Sequence, residues 1–215
     1  MSHTAIVLDP LENDALTELV NIGVSRAAVS LRKMVGDQVI LSVPSVEVLD
    51  RRVAAALIRE RESDQLVAVR QDFSGAFSGR ALLIFPESNS LELVRAVTHG
   101  EMSNTEMVEF EDEALAETGN VVLNGCLATM ANLLQRPLTM SLPQVMRGDG
   151  TLLFELTEQA GDDGIVLFLY INFAISGRDI RGYIAMLMDL PSVHSLKDLV
   201  GEFIARIVGT DTHAG

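Results

Sequence analysis

The sequence predicts an α+β fold: an internally duplicated, pseudo-two-fold arrangement in which two similar helices pack against an antiparallel β-sheet. Three observations predict it. Each half reads helix, strands, helix. A polar motif recurs at an offset of 99 residues. No low-complexity linker parts the halves, so a single domain over residues 1–215 is expected, with repeats at about 10–100 and 104–208. Helices gathered on one side of one joined sheet would make a two-layer structure.

The first helix is expected from about Glu12 to Val35, with Asn13 or Asp14 as its cap and Gly36 at its end. Leu16, Leu19, Val20, Val24, Ala27, Ala28 and Leu31 form its apolar stripe. Strands are expected at Val39–Val43, stopped by Pro44, and at Val46–Leu49. Arg51–Glu62 fits neither period. Leu66–Val69 and Arg80–Phe85 read as strands, with the small residues Ser74–Gly79 between them and Pro86 after. Leu91–Thr98 reads as a helix stopped by Gly100. The second half starts with a helix from Asn104 or Glu109 to Gln135. Strands follow at Leu138–Leu142 (before Pro143), Leu152–Leu156, Gly164–Ala174 and Gly182–Met188, with Asp162-Asp163-Gly164 as a turn. A last helix spans Ser192 to Val208, and the tail Gly209–Gly215 is expected to fray.

Composition narrows the function. Hydrophobic residues are 48% of the chain and aromatics 5%, so the core is built from aliphatic residues, alanine and nine methionines. A net charge of −14 disfavours a nucleic-acid backbone or an anionic membrane surface, both of which need clustered Lys and Arg. No run reaches the roughly 20 apolar residues of a membrane span, and no signal peptide is visible. Cys126 is the single cysteine and lies among Leu123, Leu127 and Met130, which reads as packing. The expectation is a cytoplasmic protein without membrane insertion or nucleic-acid partner.

The motif carries the chemistry. Asp14-x3-Glu18-x2-Asn21, then 22 residues, then Pro44, is matched by Glu113-x3-Glu117-x2-Asn120, then 22 residues, then Pro143. Positions i, i+4 and i+7 fall on one helix face, within roughly 60° of the circumference. Each motif is therefore one polar strip. Such a strip can be the wet face of an amphipathic helix, and a single copy would carry little weight. Two mid-helix asparagines at matched places ask for a reason, because Asn competes for backbone hydrogen bonds there. Further on, Gly79 before Ala81–Phe85 resembles Gly182 before Ile184–Met188, at an offset of 103.

No self-contained active site accompanies the strips. Neither Glu is followed by His in the E-x-x-H carboxylate pattern, and His3, His99, His194 and His213 are scattered, so no metal site is expected. There is no P-loop and no G-x-S-x-G elbow. An amide can, however, orient a water for attack on phosphorus, and a carboxylate can grip a partner's lysine.

With these residues the chain resembles the CheC/CheX/FliY family of chemotaxis phosphatases, whose signature is Asp or Ser, x3, Glu, x2, Asn, 22 residues, Pro. Two copies in a chain of this length look most like CheC. The resemblance spans about residues 10 to 208. It implies hydrolysis of the aspartyl-phosphate on a CheY-like response regulator. Asn21 and Asn120 would then align the attacking water, Glu18 and Glu117 would pair with the regulator's lysine, and Asp14 and Glu113 would support them. Pro44 and Pro143 would be structural. The chain would have no cofactor of its own, and Mg2+ would sit on the phosphorylated partner. A CheD-type deamidase is a further partner by resemblance alone. Glu113 departs from the signature by one methylene, which leaves the second site weaker or differently tuned. The competing readings are a non-catalytic module that sequesters a response regulator or a CheD-like adaptor, and an unrelated acidic scaffold or homodimer.

Overall fold

A computed structural model describes residues 8–43, 45–62, 65–98, 103–156, 164–175 and 178–211. Pro44, Gly100, His3, His99, His213 and the Asp162-Asp163 turn lie outside the described residues, as does most of the tail. The elements are α1 (Pro10–Val35), β1 (Val39–Ser42), β2 (Val46–Asp50), α2 (Arg51–Arg61), β3 (Leu66–Gly75), β4 (Gly79–Pro86) and α3 (Glu87–Val97), then α4 (Asn104–Leu134), β5 (Leu138–Met140), β6 (Gln144–Gly148), α5 (Gly150–Leu153), β7 (Ile165–Ile175), β8 (Arg178–Met188) and α6 (Leu190–Asp211).

The strands make one antiparallel sheet in the order β1-β7-β8-β4-β3-β5, with β2 beside β7 and β6 beside β3. The two halves share a register. Leu41 faces Phe173 on β7, and Met140 faces Phe73 on β3. Val46 faces Leu169, and Val145 faces Val69. At the centre Leu83 faces Ile184, while Leu82–Ala185 and Ile84–Tyr183 flank it. Val69 matches Leu169 through these pairings, Val69 faces Leu83 on β4 and Leu169 faces Ile184 on β8, so β4 matches β8 at a shift of 101 residues (83 to 184). That shift sets Gly182 against Ala81 rather than Gly79, which corrects the offset of 103.

Helices cover both faces of the sheet, not one. α1, α3, α4 and α6 bury one face over Val67, Val69, Leu83, Phe85, Leu167 and Leu169. α2 and α5 cover the other, where Ala54, Ala55, Ile58, Leu153 and Phe154 meet Leu66, Ala68, Val166 and Phe168. The reason is legible in β3: its first four residues are all apolar and all buried, the pattern of a strand covered on both sides. α2 resolves the ambiguous Arg51–Glu62 stretch as a short helix capped by Asp50. Leu152–Leu156 is not a strand. Asp149 caps a single turn there by accepting from the Leu152 N–H at 2.9 Å, and the strand lies earlier, at Gln144–Gly148.

Caps set the long helices. Asp9, not Asn13 or Asp14, begins α1, in a capping box with Glu12, and Pro10 occupies the first turn. Gly36 ends it in the left-handed region at φ 67°. Ser103 and Glu106 form the matching box on α4. Each cap stabilises its helix by about 1 kcal/mol. This frees Asp14 from a capping role. α1 and α4 then pack on each other at Gly23, where a Cβ would come within 2.8 Å of the Cys126 Cα, so only glycine permits the approach.

Cys126 is fully buried at this crossing, and burial pushes its thiol up to about 12. Native protein should therefore resist thiol-labelling reagents, reacting only as it unfolds. Fast labelling of the native chain, followed by mass, would contradict this packing. No helix among the described residues is long and apolar enough to cross a membrane.

Candidate functional site

The two motifs stand on α1 and α4. Leu16, Leu19, Val20 and Val24 hold one side of α1 in the core, which turns the opposite side outward. Asp14 and Glu18 are exposed there, and Asn21 is half-buried. On α4, Leu115, Val122 and Leu123 are buried, Glu113 and Glu117 are exposed, and Asn120 is half-buried. Each motif's three residues thus share a face, as the spacing predicts. The asparagines are not free side chains on the surface, however; both are tied inward.

Asn21 is held by the backbone. The Val43 N–H donates to Asn21 Oδ1 at 3.1 Å. An N–H can only donate, so the oxygen must face it and Nδ2 must face away. A shallow surface depression beside it is lined by Glu18, Asn21, Ile22, Ser25, Arg26 and Val29.

Asn120 is held by side chains. Gln71 Nε2 donates to Asn120 Oδ1 at 3.2 Å, and Asn124 Nδ2 donates to the same oxygen at 2.6 Å. Gln71 comes from β3, where it continues the inward row Val67, Val69, Gln71, Phe73. It is 1% exposed, and its Nε2 also donates to the Ser141 carbonyl at 3.0 Å. Ser141 is itself locked to β3: its N–H donates to the Asp72 carbonyl, and its Oγ accepts from the Asp72 N–H, both at 2.9 Å. Asp72 in turn stands in a charged group with Arg70, Arg80 and Glu155, and hydrogen bonding from Arg70 holds its carboxyl below the usual range. Sequence reading missed Gln71, Asn124 and Ser141. The available signal was a lone polar residue in an otherwise apolar alternating row.

Both asparagine Nδ2 groups lack an acceptor among the described residues, and neither is shut away from solvent. The motif carboxylates are also uncommitted. Asp14, Glu18, Glu113 and Glu117 have no ion-pair partner among the described residues, whereas neighbouring acids do. Glu12 meets Lys197 at 3.2 Å, and Glu111 accepts from Ser90 at 2.7 Å and meets Arg147 at 3.1 Å. Acids that serve the fold are paired, and those of the motifs are open to a partner. Pro143 lies between β5 and β6, where it separates the two short strands. Among the described residues no group of three or more His, Cys, Asp or Glu is placed to hold a metal ion.

Comparison with known proteins follows the same division. The family described as Chemotaxis phosphatase CheX matches residues 67–169, a span that contains Gln71, Glu117 and Asn120 and leaves α1 outside. The flagellar motor switch phosphatase FliY of Bacillus subtilis is 24% identical over 160 residues, 74% of this chain. The chain spans only 40% of the length of that relative. The crystal structure of Thermotoga maritima FliY superposes with a TM-score of 0.72 at 18% identity, covering 92% of this chain and all of that one. A CheX structure from Desulfovibrio desulfuricans gives 0.51 at 17% identity, covering 79% of this chain and 99% of that one. The α+β fold is shared with both. Residues 67–169 thus match the family described as Chemotaxis phosphatase CheX, and the fold over most of the chain is the one seen in the FliY and CheX structures.

Proposed function

We propose that this chain is an enzyme that hydrolyses the aspartyl-phosphate of a CheY-like response regulator in chemotaxis or related two-component signalling. One observation carries the reading: twice, an amide anchored through its oxygen offers its N–H2 to solvent beside an unpaired glutamate. Asn21 and Asn120 orient the attacking water, and Glu18 and Glu117 grip a lysine of the regulator. Asp14 and Glu113 extend each acidic strip toward the same partner. The chain supplies no nucleophile and no cofactor. The regulator supplies the acyl phosphate and the Mg2+ that offsets its charge. Hydrolysis breaks the O–P bond, water adds to phosphorus, and the carboxylate of the regulator's Asp leaves.

The same proposal takes the chain as a single domain of two repeats, about 10–100 and 104–208. The shared register of β1/β2 on β7 and of β5/β6 on β3 supports it. Two motifs in one domain favour a CheC-type assignment within the family. That assignment brings a cytoplasmic setting and a CheD-type deamidase as second partner. Mixing purified chain with such a deamidase should give one co-eluting complex, and separate elution at micromolar concentration would remove the CheC-type assignment. The activity itself is tested by phosphate release from a phosphorylated regulator, with both asparagines replaced.

A further inference from the structure

We propose that Gln71 is a positioning residue for Asn120, so that the second site aims its amide through buried side chains while the first aims its amide through the backbone. The inference rests on the phosphatase reading and concerns the inner wall of one of its sites.

An asparagine carboxamide turns freely about its last torsion, whose preferences are broad and roughly two-fold. A freely turning amide presents oxygen as often as nitrogen to a bound water. In the second site a relay removes that freedom. The Ser141 carbonyl can only accept, so it forces the nitrogen of Gln71, not its oxygen, to face it at 3.0 Å. The second hydrogen on that nitrogen is shared between Asn120 Oδ1 at 3.2 Å and, more weakly, Asn124 Oδ1 at 3.5 Å, and Asn124 Nδ2 closes on Asn120 Oδ1 at 2.6 Å. With two donors on its oxygen, Asn120 can present only Nδ2 outward. Direction passes from a main-chain carbonyl to the amide through one buried side chain.

Stability gives no reason for a glutamine here. Its Oε1 is buried without a hydrogen-bond partner, a state that folded proteins rarely tolerate. The corresponding place on β7 shows the apolar solution. Phe73 faces Met140 as Phe173 faces Leu41, so Gln71 corresponds to Ile171, which is 2% exposed and has nothing to donate. In the first site the donor is instead the Val43 N–H, and position 25, which corresponds to Asn124, is a serine. The counterpart of Val43 is Leu142, which is 85% exposed. A polar side chain is therefore buried where the second site lacks the first site's backbone donor.

The test uses the full chain and a CheY-like regulator phosphorylated by a small-molecule phosphodonor. An Asn21→Ala background leaves the second site as the source of activity. There, Gln71→Met, which keeps length and volume, should lower kcat about tenfold and leave KM within about twofold. An unchanged kcat or a rise confined to KM would overturn the proposal. If Gln71→Met does not fold, Asn124→Ala removes the other donor from a half-buried position, and several-fold loss of kcat is expected instead; no loss overturns the relay. Should the wild-type chain release no phosphate beyond the regulator's own rate, the phosphatase reading itself fails. Side-chain NMR of Asn120 then decides the positioning alone: fast amide motion on Gln71→Met supports it, and an amide as rigid as in the wild type overturns it.

Discussion

Replacing both Asn21 and Asn120 by alanine should return the phosphorylated regulator to its own unassisted rate of phosphate loss, an expected fall of roughly 100-fold or more in the assisted rate. The size follows from what each amide does. It contributes no bond to the reaction; it fixes where a water stands relative to phosphorus. Misplacement of a reacting group by about 1 Å can already cost about 100-fold, and deletion of the group misplaces the water entirely. The fold should survive. Asn21 is half-buried, and water can replace its oxygen on the Val43 N–H. Asn120→Ala leaves Gln71 its bond to the Ser141 carbonyl. Aspartate gives a sharper comparison. Asn21→Asp and Asn120→Asp keep an oxygen for Val43, Gln71 and Asn124 but carry no N–H2, so the anchors remain and the water loses its donor. The aspartate pair should be as inactive as the alanine pair, with thermal unfolding near the wild-type midpoint. Full acceleration by either pair would remove both amides from the chemistry.

Much of this was legible in the sequence because it is written in spacing. The stripe through Leu16, Leu19, Val20 and Val24 identifies α1, and the same i, i+4, i+7 geometry puts Asp14, Glu18 and Asn21 together outside. Gly36 marks the end of α1 by its left-handed backbone. The losses occurred where local and tertiary signals conflict. Leu152 and Leu153 look like strand residues, yet Asp149 caps a helical turn across them, and a single turn is too short for periodicity to show. The second helical layer was missed because α2 is short and strongly charged at its end, so its narrow apolar side (Ala54, Ala55, Ile58) was hidden. The depth of the site was missed for a different reason. Gln71 lies 49 residues from Asn120, and no local rule connects them. Only the pairing of β3 with β5 and the seating of α4 on β3 bring the two together.

That seating makes a second large effect predictable. Gly119 immediately precedes Asn120 and faces β3, where a Cβ would come to 2.4 Å from Val69 Cγ1 and 2.5 Å from its Cβ. A branched side chain on a central strand cannot swing aside by an ångström, so Gly119→Ala must push α4 away from β3. Overpacking of this kind costs about 1–3 kcal/mol, which exceeds the few tenths to 1 kcal/mol that alanine gains over glycine within a helix. Urea unfolding should therefore show a lower midpoint with an unchanged slope. The displacement also has a direction. It opens the gap between Asn120 on α4 and Gln71 on β3, while Asn21 on α1 keeps its bond to Val43. Activity in an Asn21→Ala background should fall further than activity in an Asn120→Ala background, measured where both proteins are still fully folded. Equal losses in the two backgrounds would mean that the strain spreads through the whole sheet. A loss confined to the second site would show that the glycine is there to let a strand residue reach the amide it aims.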